Sequence, residues 1–164
     1  NRLGLCNDNP QRDVHLTDTG IRQAAQAAEQ LRHKPLRRIL VSELPRTRQT
    51  AEIINRYHQV PIETYSALND IQSGFDGRPV AEYFTAIGHD PLHARVHGGE
   101  SLLDHQQRIN HFLHDLQSRQ EDAVLIVAHE ETLRAIYVWF LDLPDDALAE
   151  QHFNNAEILE FDWP

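Results

Sequence analysis

Ile39-Leu40-Val41-Ser42-Glu43-Leu44-Pro45-Arg46-Thr47-Arg48-Gln49-Thr50-Ala51 is the stretch from which the fold can be read. Its apolar opening is too short for a free-standing helix and rich in β-branched residues, the composition of a buried strand. At Ser42 it turns polar and continues with helical spacing, and Pro45 sits where a first-turn proline costs no hydrogen bond. A second stretch, Ala123-Val124-Leu125-Ile126-Val127-Ala128-His129-Glu130-Glu131-Thr132-Leu133-Arg134, has the same build. In an open α/β sheet the ligand crevice lies outside the carboxyl ends of the strands. Arg46 and His129 are therefore expected to project into one crevice. Arg presents a fixed fork of donors for phosphate oxygens, and His can donate, or act as acid or base.

Outward from these two stretches the pattern alternates. Thr17 reads as an N-cap, followed by Ile21, Ala24, Ala25, Ala28 and Leu31 at helical spacing. Strands are expected over Arg38–Val41, Ile62–Tyr65 and Ala123–Ala128, with helices from about Pro45 and over Thr132–Leu141. Between Ser66 and His97 the breakers Gly74, Gly77, Pro79, Gly88 and Pro91 leave room for one short helix, Val80–Ile87. Ser101-Leu102-Leu103-Asp104 is a capping box, and Leu102, Ile109, Phe112, Leu113 and Leu116 extend its helix. A last strand is expected over Glu157–Phe161. The alternation predicts a single α/β domain over residues 1–164, a three-layer sandwich with a mostly parallel sheet and helices on both faces.

The 164 residues carry a net charge of −10, which argues against nucleic acid or an anionic membrane as the main partner. No apolar stretch approaches the length of a membrane span. The single Cys6 excludes an internal disulfide and suits a reducing compartment, so a cytoplasmic setting is expected.

Four pieces, in one order over nearly the whole chain, carry a family resemblance. Ser42-x-Leu44-x-Arg46-x-x-Gln49-Thr50-Ala51 resembles the second signature of the histidine phosphatase (phosphoglycerate mutase-like) superfamily. Leu16-Thr17-x-x-Gly20-x-x-Gln23-Ala24 resembles its first helix start. Gly98-Gly99-Glu100-Ser101 with Arg108 resembles its Gly-Glu-Ser segment, and Ala128-His129 its second histidine. The resemblance implies a phosphatase that hydrolyses a small phosphomonoester through a phosphohistidine, with no cofactor and no metal. It also implies that Asn1 is a substrate contact and that the first strand, with the nucleophilic Arg-His-Gly, lies upstream of residue 1. Phosphatase is favoured over phosphoglycerate mutase because the mutases carry extra segments that enclose the substrate. The rival from another class is a non-catalytic member that binds phosphorylated ligands or a protein partner. A homodimer is left open.

The candidate site residues are Arg46, Asp70, His129 and Glu130 for catalysis, with Asn1 and Ser42 as substrate contacts. Ser42 can donate to a phosphate oxygen or cap the next helix. His129 follows five apolar residues, a placement that costs free energy unless the ring is partnered. Two carboxylates compete for the general acid. Leu68-Asn69-Asp70 resembles the Leu-x-Glu segment of mutase-like phosphatases with Asp for Glu. His129-Glu130 resembles the His-Asp arrangement of the acid phosphatase branch. Asp70 is preferred, and Glu130 is kept. The eleven histidines lack a metal-ligand pattern, because Pro91 interrupts the series His89, His93, His97.

Overall fold

The computed structural model describes residues 3–12, 14–119 and 122–163. Three parallel strands, β1 (Arg38–Val41), β2 (Ile62–Thr64) and β3 (Val124–Val127), lie in the order β2-β1-β3. The register pairs Ile39 with Ile62 on one side of β1 and with Leu125 on the other. A crossover joins β1 to β2 and another joins β2 to β3, as parallel pairing requires. The six α-helices described are α1 (Asp18–Leu31), α2 (Pro45–Asn55), α3 (Val80–Ile87), α4 (Leu102–Ser118), α5 (Glu130–Phe140) and α6 (Ala147–Glu150), with a 3-10 turn over Ser66–Leu68.

The strand pleat sorts the core into two layers. Ile39 and Val41 face Ala28 and Leu31 of α1 and Ala51 and Ile54 of α2. Leu40 faces the opposite way, onto Ile109 and Leu113 of α4 and Ala135 and Val138 of α5. Side chains of period two on one buried strand therefore hold helices on both faces. Local chemistry sets the helix starts. Thr17 accepts from Gly20 N, and Ser101 and Asp104 form a reciprocal box at the head of α4. Helix α5 begins at Glu130, two residues before the expected Thr132, with His129 as its N-cap residue.

One expected element does not form. Residues 157–161 are not in a strand. Phe161 instead stacks on Phe140 with ring centroids 4.7 Å apart, and Trp163 meets Trp139 at 5.9 Å. Ile158 packs on the layer of α1 and α2 and Phe161 on that of α5, so the segment buries its apolar residues with no ladder partner among the described residues. Among the described residues β3 pairs with β1 alone, and its four residues are only partly buried, unlike the fully buried Ile39, Leu40 and Val41. No helix is long and apolar enough to cross a membrane among the described residues.

Candidate active site

The carboxyl ends of β1 and β3 adjoin because their register brings Val41 opposite Val127. One residue past β1, the Ser42 hydroxyl lies 2.8 Å from His129 Nε2. The other ring nitrogen, Nδ1, lies 3.1 Å from Arg46 Nη2. A guanidinium has only donors, so Nδ1 accepts and the ring proton sits on Nε2, donating to Ser42. Thr47 Oγ1, 2.8 Å from Ser42 Oγ, donates onward to Leu44 O at 2.9 Å. A buried chain of hydroxyls thus holds the imidazole by its back edge. Ser42 is fully buried and also accepts from Leu44 N, so it orients His129 and is turned away from the open crevice.

Arg46 enters from the first turn of α2. It donates to Asn7 O and to Asp70 Oδ2, each at 2.9 Å. The Asp70 carboxylate accepts from Ile71 N and lies 3.5 Å from His129 Nδ1. Burial pushes the Asp70 carboxyl above the usual range, although Arg46 pulls it down. His129 is driven well below the ordinary histidine range by burial and by the positive charge of Arg46, so its ring is neutral. The structure therefore brings Arg46, Asp70, His129 and Ser42 together.

Glu130 is placed elsewhere. Its carboxylate pairs with Arg134 one turn along α5 at 2.5 Å and with His152 at 3.3 Å. These partners outweigh its burial and hold it below the usual carboxylate range. Asn1 lies outside the described residues.

The loop carrying Asp70 is tied down from behind. Arg108 donates to the carbonyls of Ala67 and Asn69 at 2.8 and 3.0 Å, and to Glu100 at 2.8 and 2.7 Å. Glu100 in turn accepts from Gln72 N. Gly99 is required by this approach, since a Cβ there would stand 2.3 Å from Gln72 O.

Two groups near the site were given no role from the sequence. Glu131 is partly buried at the start of α5, and burial with the nearby charge of Asp70 lifts its carboxyl to about 7. His105 is buried on α4. The only available signal for His105 was its place one turn before Arg108. No cluster of three or more metal-ligating side chains occurs among the described residues.

The chain matches the histidine phosphatase superfamily (branch 1) over residues 6–164 and belongs to that family. It is 31% identical over 146 residues to the chicken 6-phosphofructo-2-kinase/fructose-2,6-bisphosphatase, covering 83% of this chain and 30% of that protein. The chain thus spans under a third of the length of that relative. In structure it resembles the α-ribazole phosphatase of Shigella flexneri, with TM-score 0.83, 24% identity and coverage of 94% and 80% of the two chains. It also resembles a mycobacterial glucosyl-3-phosphoglycerate phosphatase, with TM-score 0.78, 23% identity and coverage of 93% and 80%.

Proposed function

We propose that this protein is a phosphatase that hydrolyses a small phosphomonoester through a phosphohistidine and needs no metal. The observation that carries the reading is the meeting of Arg46, His129 and Asp70 at adjoining strand ends, with Arg46 Nη2 2.9 Å from Asp70 and 3.1 Å from His129. Family membership and phosphatases among the structural neighbours support the same reading.

The nucleophilic histidine would enter on a strand upstream of residue 1 that pairs with the second edge of β3. The part-exposed apolar residues Val124–Val127 support that placement, because a strand edge of this kind is a template for further pairing. In the reaction the upstream imidazole attacks phosphorus while the ester oxygen departs. Arg46 donates to the equatorial phosphoryl oxygens, where charge accumulates, and His129 joins it once the anion's charge has brought a proton onto the site-facing Nδ1. In the unliganded site Arg46 is occupied by Asp70. A phosphate dianion that takes over the guanidinium removes the strongest of the influences that hold the Asp70 carboxyl down. Asp70 then protonates and becomes the general acid for the leaving oxygen. The same carboxylate activates the water that hydrolyses the phosphohistidine. Glu130, held anionic by Arg134, is poorly suited to deliver a proton.

Specificity would reside in the loops on either side of Asp70. A cleft of about 870 Å³ between them is lined by Asp8, Asn9, Asn69, Gln72 and Asp76 among others, a setting suited to a polar leaving group of modest size. A cytoplasmic location is supported by the buried, unpaired thiol of Cys6. The test uses the full-length protein with a sugar phosphate and an aryl phosphate. Turnover with an alkali-stable, acid-labile phosphoryl label on the protein is expected. Absence of turnover together with absence of vanadate binding refutes the reading, and phosphate binding without turnover supports a non-catalytic member instead.

A further inference from the structure

The polar groups buried behind the site form a continuous path between its two halves. Every N–H of the Arg108 guanidinium is committed. Nε and Nη2 grip Glu100, Nη1 takes the carbonyls of Ala67 and Asn69, and the second Nη2 proton points at His105 Nδ1 at 2.8 Å. Nδ1 of His105 must therefore be an acceptor, which puts its proton on Nε2. Nε2 faces Thr132 Oγ1 at 3.3 Å. Thr132 is fully buried in the first turn of α5, three residues after His129. The path runs from the Asp70 loop through Arg108, His105 and Thr132 to the helix that His129 caps. It closes where Asp70 Oδ2 and His129 Nδ1 stand 3.5 Å apart.

We propose that His105 is a positioning residue that links the Asp70 loop to α5 through Arg108 and Thr132, and so keeps the acid in register with His129. It has a property no apolar core residue can supply, since it accepts at one end and donates at the other. A leucine of similar bulk would leave the Thr132 hydroxyl without this partner and one Arg108 proton with only the long contact to Asp70 O at 3.4 Å, and the loop would drift to resatisfy them. The direct bridge through Arg46 cannot replace this link, because substrate phosphate competes for the same guanidinium during turnover. The path behind the site is the one that persists when the acid is needed.

This inference rests on Asp70 being the general acid. The experiment measures kcat and KM of the full-length protein on a sugar phosphate and on an aryl phosphate whose leaving oxygen needs little protonation. His105→Leu is expected to lower kcat on the sugar phosphate by about tenfold to a hundredfold, the scale of a misplaced acid, with KM unchanged. The aryl phosphate should lose less than about threefold. His105→Gln, whose amide oxygen can accept from Arg108 and whose amide nitrogen can donate to Thr132, should recover most of the activity. In an Asp70→Asn background His105→Leu should cost nothing further. Should His105→Leu fail to fold, Thr132→Val reads the same link from its other end, with the same leaving-group dependence. An equal loss on both substrates, an additive loss in the Asp70→Asn background, or no loss at all overturns the proposal. If Asp70→Asn alone leaves the sugar phosphate unaffected while the wild type turns over, the acid assignment falls and takes this inference with it. A wild type inactive on both substrates refutes the phosphatase reading itself.

Discussion

Removing Arg46 should destabilise the protein in a way that depends on pH. In Arg46→Met the Asp70 carboxylate loses its cationic partner at 2.9 Å while staying mostly buried. Breaking a buried ion pair by deleting one partner costs about 3–5 kcal/mol, because the remaining charge is uncompensated. The Arg46 and Asp70 side chains retain 23% and 20% exposure, so water offsets part of this, and about 2–3 kcal/mol is expected at pH 7.5. For a chain of this size that lowers the melting temperature by about 5–10 °C. The sign with pH follows from linkage. The Asp70 carboxyl is already raised in the folded state, and loss of Arg46 raises it further. The folded protein then binds a proton that the unfolded chain releases near pH 3.8. The penalty is full above the folded value and fades as pH falls toward the unfolded one. His129, relieved of the guanidinium, can also take up a proton beside Asp70, which acts in the same direction. Thermal unfolding of wild type and Arg46→Met at pH 7.5 and 5.0 should show the larger gap at pH 7.5. Arg46→Met/Asp70→Asn should regain most of the loss at pH 7.5. Equal gaps at the two pH values, or no regain in the double variant, would refute the account of a buried, partner-dependent carboxylate.

Three further outcomes are expected. Phosphate or vanadate binding at neutral pH should take up protons, since Asp70 loses Arg46 and the neutral His129 ring meets an anion; titrations in buffers of different ionisation enthalpy would show this, and zero uptake contradicts it. Asp70→Asn should slow hydrolysis of a sugar phosphate far more than that of an aryl phosphate, whereas Glu130→Gln should be mild on both, and the reverse pattern moves the acid to α5. Glu131→Gln should be more stable than wild type at pH 8 by on the order of 2 kcal/mol, because a folded-state carboxyl raised to about 7 costs stability above the unfolded value near 4.5; the advantage should shrink as pH falls below about 7 and vanish only below about pH 4, and a pH-independent difference excludes a buried, strained carboxylate.

What could be read from the chain is what local chemistry determines. The apolar runs before Ser42 and His129, Pro45 in a first turn and the Ser101–Asp104 box each act within a few residues, so strands and helix starts follow directly. Arg46 and His129 were legible because parallel strands present their carboxyl ends together. The segment 157–161 misled because β-propensity reports a half-buried pleated surface, and Phe161 finds that burial against Phe140 of a helix. Glu130 and Glu131 are neighbours in sequence, but the helix pairs Glu130 with Arg134 and buries Glu131, which feels the charge of Asp70, a difference that follows from the start of α5 at Glu130. The role of His105 depends on α4 crossing behind the Asp70 loop, and no local pattern encodes that crossing.

The register of the sheet has a consequence for how the molecule assembles. β1 pairs with β2 across a short helical excursion, Ile39 with Ile62, so α1, β1, α2 and β2 can form from contacts close in the chain. β3 must find β1 across a separation of 86 residues, from Arg38 to Val124. Closing so long a loop is slow, and its entropy is recovered only when the strand docks. Insertion of β3 is thus the late event, and it is also the event that carries His129 to Arg46 and Ser42. The crevice has no half-built form: a chain caught before that step exposes the unpaired edge of β1 and holds its two site residues apart, so competence to bind phosphate should appear only with the final, cooperative phase of refolding.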